Sequence, residues 1–398
     1  MTKINIEKLN EDIKLFSQVH PITPDMNKTF EGVSRLVMLD RYAFKDTEKK
    51  TLTEGDFVVL TIKDDPQFPA RGYGFVTEIE GRYVTVQLDE QYHDVAGSES
   101  IRVPLAAIDK PLEIFYEQIA KRVATGLSAV EEEEKRAEIF EEFYKELSEL
   151  NFVPAGRVLY GAGSETEVTY FNCYVMPFLK DSREGISDHR KQVMEIMSRG
   201  GGVGTNGSTL RPRNTLAKGV NGKSSGSVSW LDDIAKLTHL VEQGGSRRGA
   251  QMIMLADWHP DIIEFIISKM QNPRILRFII ETTKDDQIRQ LAQEKLKFEP
   301  LSAIEREIYE GVAGITEGES PVSETRKYVL QILKDGGRYS VHNPDFLTGA
   351  NISVAITKEF MQAVENDEEY ELRFPDVENY DEEQMRYYNE HWHEVGDV

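Results

Sequence analysis

The amino-acid sequence predicts an α/β protein with a small β module at its N-terminus, and three observations lead there. Across residues 54–90, short runs of β-forming residues sit between turn residues, as in a small antiparallel sheet or barrel. From Phe152 onward, apolar strand-like patches alternate with segments of helical periodicity. Glycine-rich loops separate those segments across residues 199–250.

In chain order, E-G-D-F-V-V-L-T-I-K-D, R-G-Y-G-F-V-T-E-I-E-G-R and R-Y-V-T-V-Q-L-D-E read as strands of a module spanning residues 1–108. A helical region, 109–150, holds amphipathic helices near 110–125 and 128–150, the second with Ser128 as a cap ahead of a Glu run. Residues 151–398 form the main domain. There, 186–199 and 228–243 have helical periodicity, the latter with Trp230, Leu231, Ile234, Leu237, Leu240 and Val241 on one face. Q-M-I-M-L-A-D reads as a buried strand, and H-P-D-I-I-E-F-I-I-S-K as a helix with Pro260 near its first turn. Residues 282–338 are charged and helical, a surface insertion, before N-I-S-V-A-I-T-K-E-F-M-Q-A-V returns to strand then helix. Residues 365–398 carry thirteen acidic and two basic residues, which predicts a solvated tail with no helix or strand to finish a core.

Composition narrows the functions. At 398 residues the chain can bury one large core beside a smaller domain. A net charge of −22 opposes wrapping of a nucleic-acid duplex, although a local basic pocket still suits small phosphorylated ligands. No apolar run approaches a membrane span, and the N-terminus lacks a secretory pattern, so a cytoplasmic location without membrane contact is expected. The single Cys173 allows neither an internal disulfide nor a cysteine-cluster metal site.

Against that acidic background, residues 190–250 hold ten Lys or Arg and four Asp or Glu. Their loops read R-G-G-G-V-G-T-N-G-S, G-V-N-G-K-S-S-G-S and Q-G-G-S-R-R-G-A. Bare peptide groups beside fixed cations are what a phosphate requires. Residues 200–204 alone are equally a tight helix-to-strand turn, and Arg247 and Arg248 are equally an ion-paired surface loop. G-V-N-G-K-S falls short of a phosphate-binding P-loop, because Ala217 stands where its first glycine belongs and no strand precedes it. Cys173, in an apolar run, reads as a small buried hydrophobe or as a redox thiol. His259 is expected to order its helix start, and His391 with His393 make a poor metal site.

Seven segments occur in an order that resembles one family: N-F-V-P-A-G-R-V-L-Y-G-A-G-S, Y-F-N-C-Y-V-M-P, R-G-G-G-V-G-T-N, G-S-V-S-W-L-D-D-I, Q-G-G-S-R-R-G-A, W-H-P-D-I-I-E-F-I and A-N-I-S-V-A-I-T-K-E-F-M-Q-A-V. Across residues 8–398 the chain resembles the large chain of ribonucleotide reductases, above all the adenosylcobalamin-dependent class II enzymes. The resemblance implies the first half of a ten-stranded α/β barrel. It also implies radical reduction of a ribonucleotide, with electrons from a cysteine pair renewed by an external dithiol.

By the same resemblance, Cys173 is one member of the reducing pair, and Ala155, Gly156, Asn172, Gly201, Gly202 and Arg248 line the substrate. Asp181, Ser182, Arg183, Arg211 and Lys218 would hold a dNTP or ATP effector at a homodimer interface. Gln243, Gly244, Gly245, Ser246 and Arg247 would form the loop that senses its base. The sequence departs from the family in having no finger-loop N-x-C-x-E and no second cysteine. It therefore reads as an N-terminal part, inactive alone, that needs a complementing C-terminal half carrying the radical cysteine. The alternatives are a nucleotide-binding regulatory or scaffold protein without chemistry and, third, a P-loop-like NTPase.

Overall fold

A computed structural model describes residues 4–64, 69–217, 221–241, 249–315 and 324–392. They fall into two compact units, residues 4–172 and the described residues from 173 on.

The first unit begins with α1 (Ile6–Ile13) and α2 (Gly32–Val37). Strands β1 (Lys45–Asp46), β2 (Phe57–Lys63), β3 (Ala70–Glu80) and β4 (Tyr83–Leu88) follow. After α3 (His93–Ala96) come β5 (Ser100–Pro104) and β6 (Ile108–Pro111), then α4 (Tyr116–Ser128), α5 (Glu133–Ser148) and α6 (Gly156–Gly161). The strands form one antiparallel sheet in the order β1-β6-β2-β3-β4-β5. Gly81 supplies the positive φ that the two-residue β3–β4 turn needs. Central β2 reads as an apolar run because both its faces are covered. Phe57 and Val59 pack with residues of α1 and α4, while Val58, Leu60 and Ile62 join Val76, Val84 and Val86 on the other side.

Two buried charge networks fasten this unit. Lys110 on β6, 2% exposed, donates to Asp12 at 2.8 Å, Asp56 at 2.7 Å and the Thr51 carbonyl at 2.9 Å. Arg122 on α4, 1% exposed, pairs through Nε with Glu113 at 2.8 Å. Its other nitrogens donate to the carbonyls of Tyr42, Leu159 and Ala162, which ties α6 to α4. Ser128 does not cap the second helix. It is the last residue of α4, its hydroxyl bonded to the Thr125 carbonyl, and α5 starts instead behind Glu132 with acids in its first turn.

The second unit opens with β7 (Cys173–Val175), α7 (Arg183–Ser198) and β8 (Gly202–Asn206). The short arms β9 (Leu216–Ala217) and β10 (Gly222–Lys223) precede α8 (Ser227–Leu240) and β11 (Gln251–Ala256). Then come α9 (Ile262–Ser268), α10 (Pro273–Thr282), α11 (Asp286–Lys295), β12 (Leu296–Pro300), α12 (Ala303–Ile315), α13 (Glu324–Asp335) and β13 (Gly337–Val341). The remainder is β14 (Asn351–Ala355), α14 (Lys358–Asn366) and α15 (Glu382–Glu390). Strands β14-β11-β8-β7 form an open, wholly parallel sheet in that order. Ile253 and Leu255 of β11 are buried against Leu231 and Ile234 of α8 and Phe265 of α9. The α/β class is as the sequence predicts.

Two readings of this unit need correction. The stretch 282–338 is helical and charged, but β12 also pairs antiparallel with β13, and Leu276 and Ala292 share a small core with Ile267 of α9. The acidic C-terminal stretch is not merely a solvated tail. It forms α15, which buries Tyr388 to 1% exposure while Trp392 packs on Phe178 and Trp258. Net charge predicts solvation of a stretch as a whole, yet a few aromatic side chains on one helix face suffice to dock it.

Candidate functional site

Cys173 opens β7, one of the two edge strands of the parallel sheet. Alternation along the strand sends Tyr174 and Met176 toward the core with Val193, Met197, Val203 and Leu237, and leaves Cys173 and Val175 exposed. The buried-hydrophobe reading of Cys173 is thus wrong, because a strand in an apolar run still turns alternate residues to opposite faces. In register, Cys173 is the Cα partner of Gly202. Gly200, with φ +84°, and Gly201 close the turn from α7 into β8. A Cβ on Gly201 would collide with Ile196 and Tyr174, so glycine is required for this return. An open cleft of about 650 Å³ lies beside β7, between Tyr174–Pro177 and the Asp188, Lys191 and Glu195 face of α7.

Beyond β7 the chain reaches Asp181 and Ser182. Ser182 caps α7, its Oγ accepting the Gly185 N–H at 3.0 Å. The mostly buried Asp181 accepts from Arg211 Nε at 2.7 Å. Burial pushes the Asp181 carboxyl up from the usual range, and Arg211 pulls against that shift. Arg183 is exposed in the first turn of α7. The structure thus joins Asp181, Ser182 and Arg211 into one charged corner, with Arg183 next in sequence.

Polar groups hold the loops at the C-terminal ends of β8 and β11. His259 is fully buried; its Nδ1 accepts the Asp261 N–H at 3.0 Å, and its Nε2 faces the Leu210 carbonyl at 2.9 Å. That pair of contacts needs the neutral Nε2–H tautomer, and burial lowers the pKa accordingly. His259 therefore orders the start of α9, as the sequence predicts. Asp261 accepts from the Arg213 N–H, the Ser227 N–H and the Ser227 hydroxyl, placing a carboxylate on the N-terminus of α8. His189 of α7 meets Thr205 of β8 at 3.0 Å in the interior, and burial lowers its pKa to about 4. Sequence reasoning overlooked Asp261 and His189. The one usable signal was His189 falling three residues after Ile186 and four before Val193, on the apolar face of α7.

The remaining site residues divide as follows. Ala155 and Gly156 start α6 of the first unit, where a Cβ on Gly156 would strike the ring of Tyr42. Asn172 ends that unit. Lys218, Gln243, Gly244, Gly245, Ser246, Arg247 and Arg248 lie outside the described residues, as does His393. Gly222 and Lys223 form the short strand β10, paired antiparallel with β9, instead of a loop that opens directly into the first turn of a helix, which removes the P-loop context. Among the described residues no group of three or more His, Cys, Asp or Glu could hold a metal. No helix among them is long and apolar enough to cross a membrane.

Comparison with known proteins agrees with these features. Residues 171–397 match the family described as ribonucleotide reductase, barrel domain, and residues 105–167 match ribonucleotide reductase, all-alpha domain. A vitamin B12-dependent ribonucleoside-diphosphate reductase of Thermoplasma acidophilum is 38% identical over 134 residues, which are 34% of this chain and 17% of that protein. The ribonucleoside-diphosphate reductase large subunit of Dictyostelium discoideum is 36% identical over 124 residues, 31% of this chain and 14% of the relative. A vitamin B12-dependent counterpart from Mycobacterium tuberculosis is 35% identical over 133 residues, 33% of this chain and 19% of the relative. The matched stretch thus spans less than a fifth of each of these proteins.

Proposed function

The chain belongs to the ribonucleotide reductase large-subunit family, and on that premise we propose that it takes part in converting ribonucleotides to deoxyribonucleotides. The observation that carries this reading is the exposed thiol of Cys173 on an edge strand, in register with Gly202 of the glycine turn. In the proposed reaction a dithiol becomes a disulfide, the ribose 2′-hydroxyl leaves as water, and hydrogen replaces it. Cys173 supplies one of the two thiols, while the glycine turn lets the substrate approach the main chain. The sequence contains no other cysteine. The second reducing thiol and the radical cysteine are proposed to come from a complementing C-terminal half.

Asp181, Ser182 and Arg183 are proposed to hold a dNTP or ATP effector whose phosphates meet Arg211 and Lys218, with the effector-site helices as the homodimer surface. Adenosylcobalamin is proposed as radical source in the complete enzyme, as the names of two relatives suggest.

The test combines the chain with a C-terminal half carrying the missing cysteines, adenosylcobalamin, a dithiol and ribonucleoside di- or triphosphates. Deoxyribonucleotide should form, and Cys173→Ser should abolish multiple turnover. Sustained turnover by that variant would remove Cys173 from the reaction. A second reading, a nucleotide-binding regulatory protein without chemistry, draws on the same cysteine count. It predicts effector binding with no product under any combination.

A further inference from the structure

The backbone N–H of Leu216, at the start of β9, donates to Glu378 Oε1 at 2.6 Å, across 162 residues of chain. Two basic residues neighbour the Leu216 main chain. Lys223 is the cross-strand partner of Leu216, and Arg211 reaches the Leu216 carbonyl through Nη1 at 3.4 Å. The segment bearing Glu378 also grips the corner on which Arg211 sits. Asn389 Oδ1 accepts the Asp181 N–H at 2.6 Å, and the buried Tyr388 hydroxyl donates to the Thr209 carbonyl at 2.7 Å. An acidic segment thus meets the most basic stretch of the chain, with one carboxylate seated on the main-chain amide of a residue whose strand partner is Lys223 and whose carbonyl accepts from Arg211. A phosphate would use the same kind of arrangement.

We propose that Glu378 is an internal competitor for the phosphates of a nucleoside triphosphate, occupying the Leu216 amide until the ligand displaces it. This rests on reading residues 181–183 and 211 as a nucleotide site, and it adds what controls affinity there. Binding and release of the 376–392 segment are then linked: whatever loosens the segment strengthens the nucleotide, and the nucleotide loosens the segment. Glu378 acts as a positioning and gating residue. It touches no reacting atom.

Calorimetry on the full chain with Mg²⁺ and dATP, dTTP, dGTP or ATP tests this, with inorganic tripolyphosphate as the base-free probe. Glu378→Gln keeps an oxygen acceptor for the Leu216 amide but removes the charge. It should tighten binding of nucleotide and tripolyphosphate by roughly three- to tenfold, the scale of a partly exposed charge-assisted hydrogen bond. Asp376→Asn is the control: it makes the same change in net charge two residues away, where Asp376 bonds Asn379. Its affinity should stay within about twofold of the parent, the scale of a screened surface charge. Binding by Glu378→Gln where the parent shows none would also support the proposal. Unchanged affinity in Glu378→Gln, or equal tightening in both variants, would overturn it while leaving the nucleotide site standing. Absence of binding in parent and variants alike would remove the site and the proposal together.

Discussion

The two units tie their interiors with different ionisable groups. In the N-terminal unit the cations Lys110 and Arg122 are drawn inside, each met by carboxylates and main-chain carbonyls. In the barrel-domain unit His189, His259 and Asp261 tie the interior through a hydroxyl, amides and a carbonyl, while Arg183, Lys191 and Lys223 stay exposed. A buried cation must be fully paired, so it fixes structure and has nothing left for a ligand. An exposed one contributes little to folding and remains available. On the proposed reading, the exposed cations of the second unit are the ones left for a ligand.

Removing the strongest internal fastener should break the first unit most severely. Arg122→Ala leaves Glu113 buried without its partner and three carbonyls unpaired, a loss of about 3–5 kcal/mol. Denaturant unfolding measures it, and a loss under about 1 kcal/mol would erase the distinction between the units. In the second unit a comparable tie is Asp261. Asp261→Ala should cost about 1–2 kcal/mol, because the start of α8 and the Arg213 amide lose their acceptor.

Acid should act through His189. Its folded pKa of about 4 lies below the ordinary 6.5, so between those values the unfolded chain binds a proton that the folded chain refuses. Stability should therefore be full above about pH 6.5 and fall as pH drops toward 4. His189→Asn, measured by thermal unfolding across that window, should flatten the part of the slope owed to this residue. An unaltered slope would mean that His189 is accessible to protons in the folded state.

Cys173→Ser is the mildest change, expected to shift stability by less than about 0.5 kcal/mol because the thiol is exposed. The parent should correspondingly react with iodoacetamide in its native state as fast as when unfolded. A protected thiol would contradict the edge-strand exposure.

Much of this fold is legible from local pattern. The runs that become β2, β3 and β4, the periodicity of α7 and α8, the apolar β11 and the strand-then-helix of β14 and α14 all follow from spacing. The helix-ordering role of His259 was legible too, since W-H-P-D leaves little else for it to do. What failed depended on distant partners. Ser128 resembles a cap, but α4 runs through it because its preceding residues pack against the core, with Val123 and Ala124 buried. Tyr388 sits in a strongly acidic stretch, and only the presence of the Thr209 carbonyl and neighbouring aromatic rings explains its burial.

By itself the sequence determined the α/β class, the lone thiol, the basic glycine-rich segment and the ordered motifs that mark the family, because each is carried by neighbouring residues. Tertiary structure alone decided that Cys173 faces outward beside Gly202, that Arg211 closes on Asp181, and that Glu378 reaches Leu216. Those pairings join residues about 30 to 160 positions apart. No local propensity encodes which strand becomes an edge or which carboxylate meets which amide; only packing the sheet and its helices together fixes that.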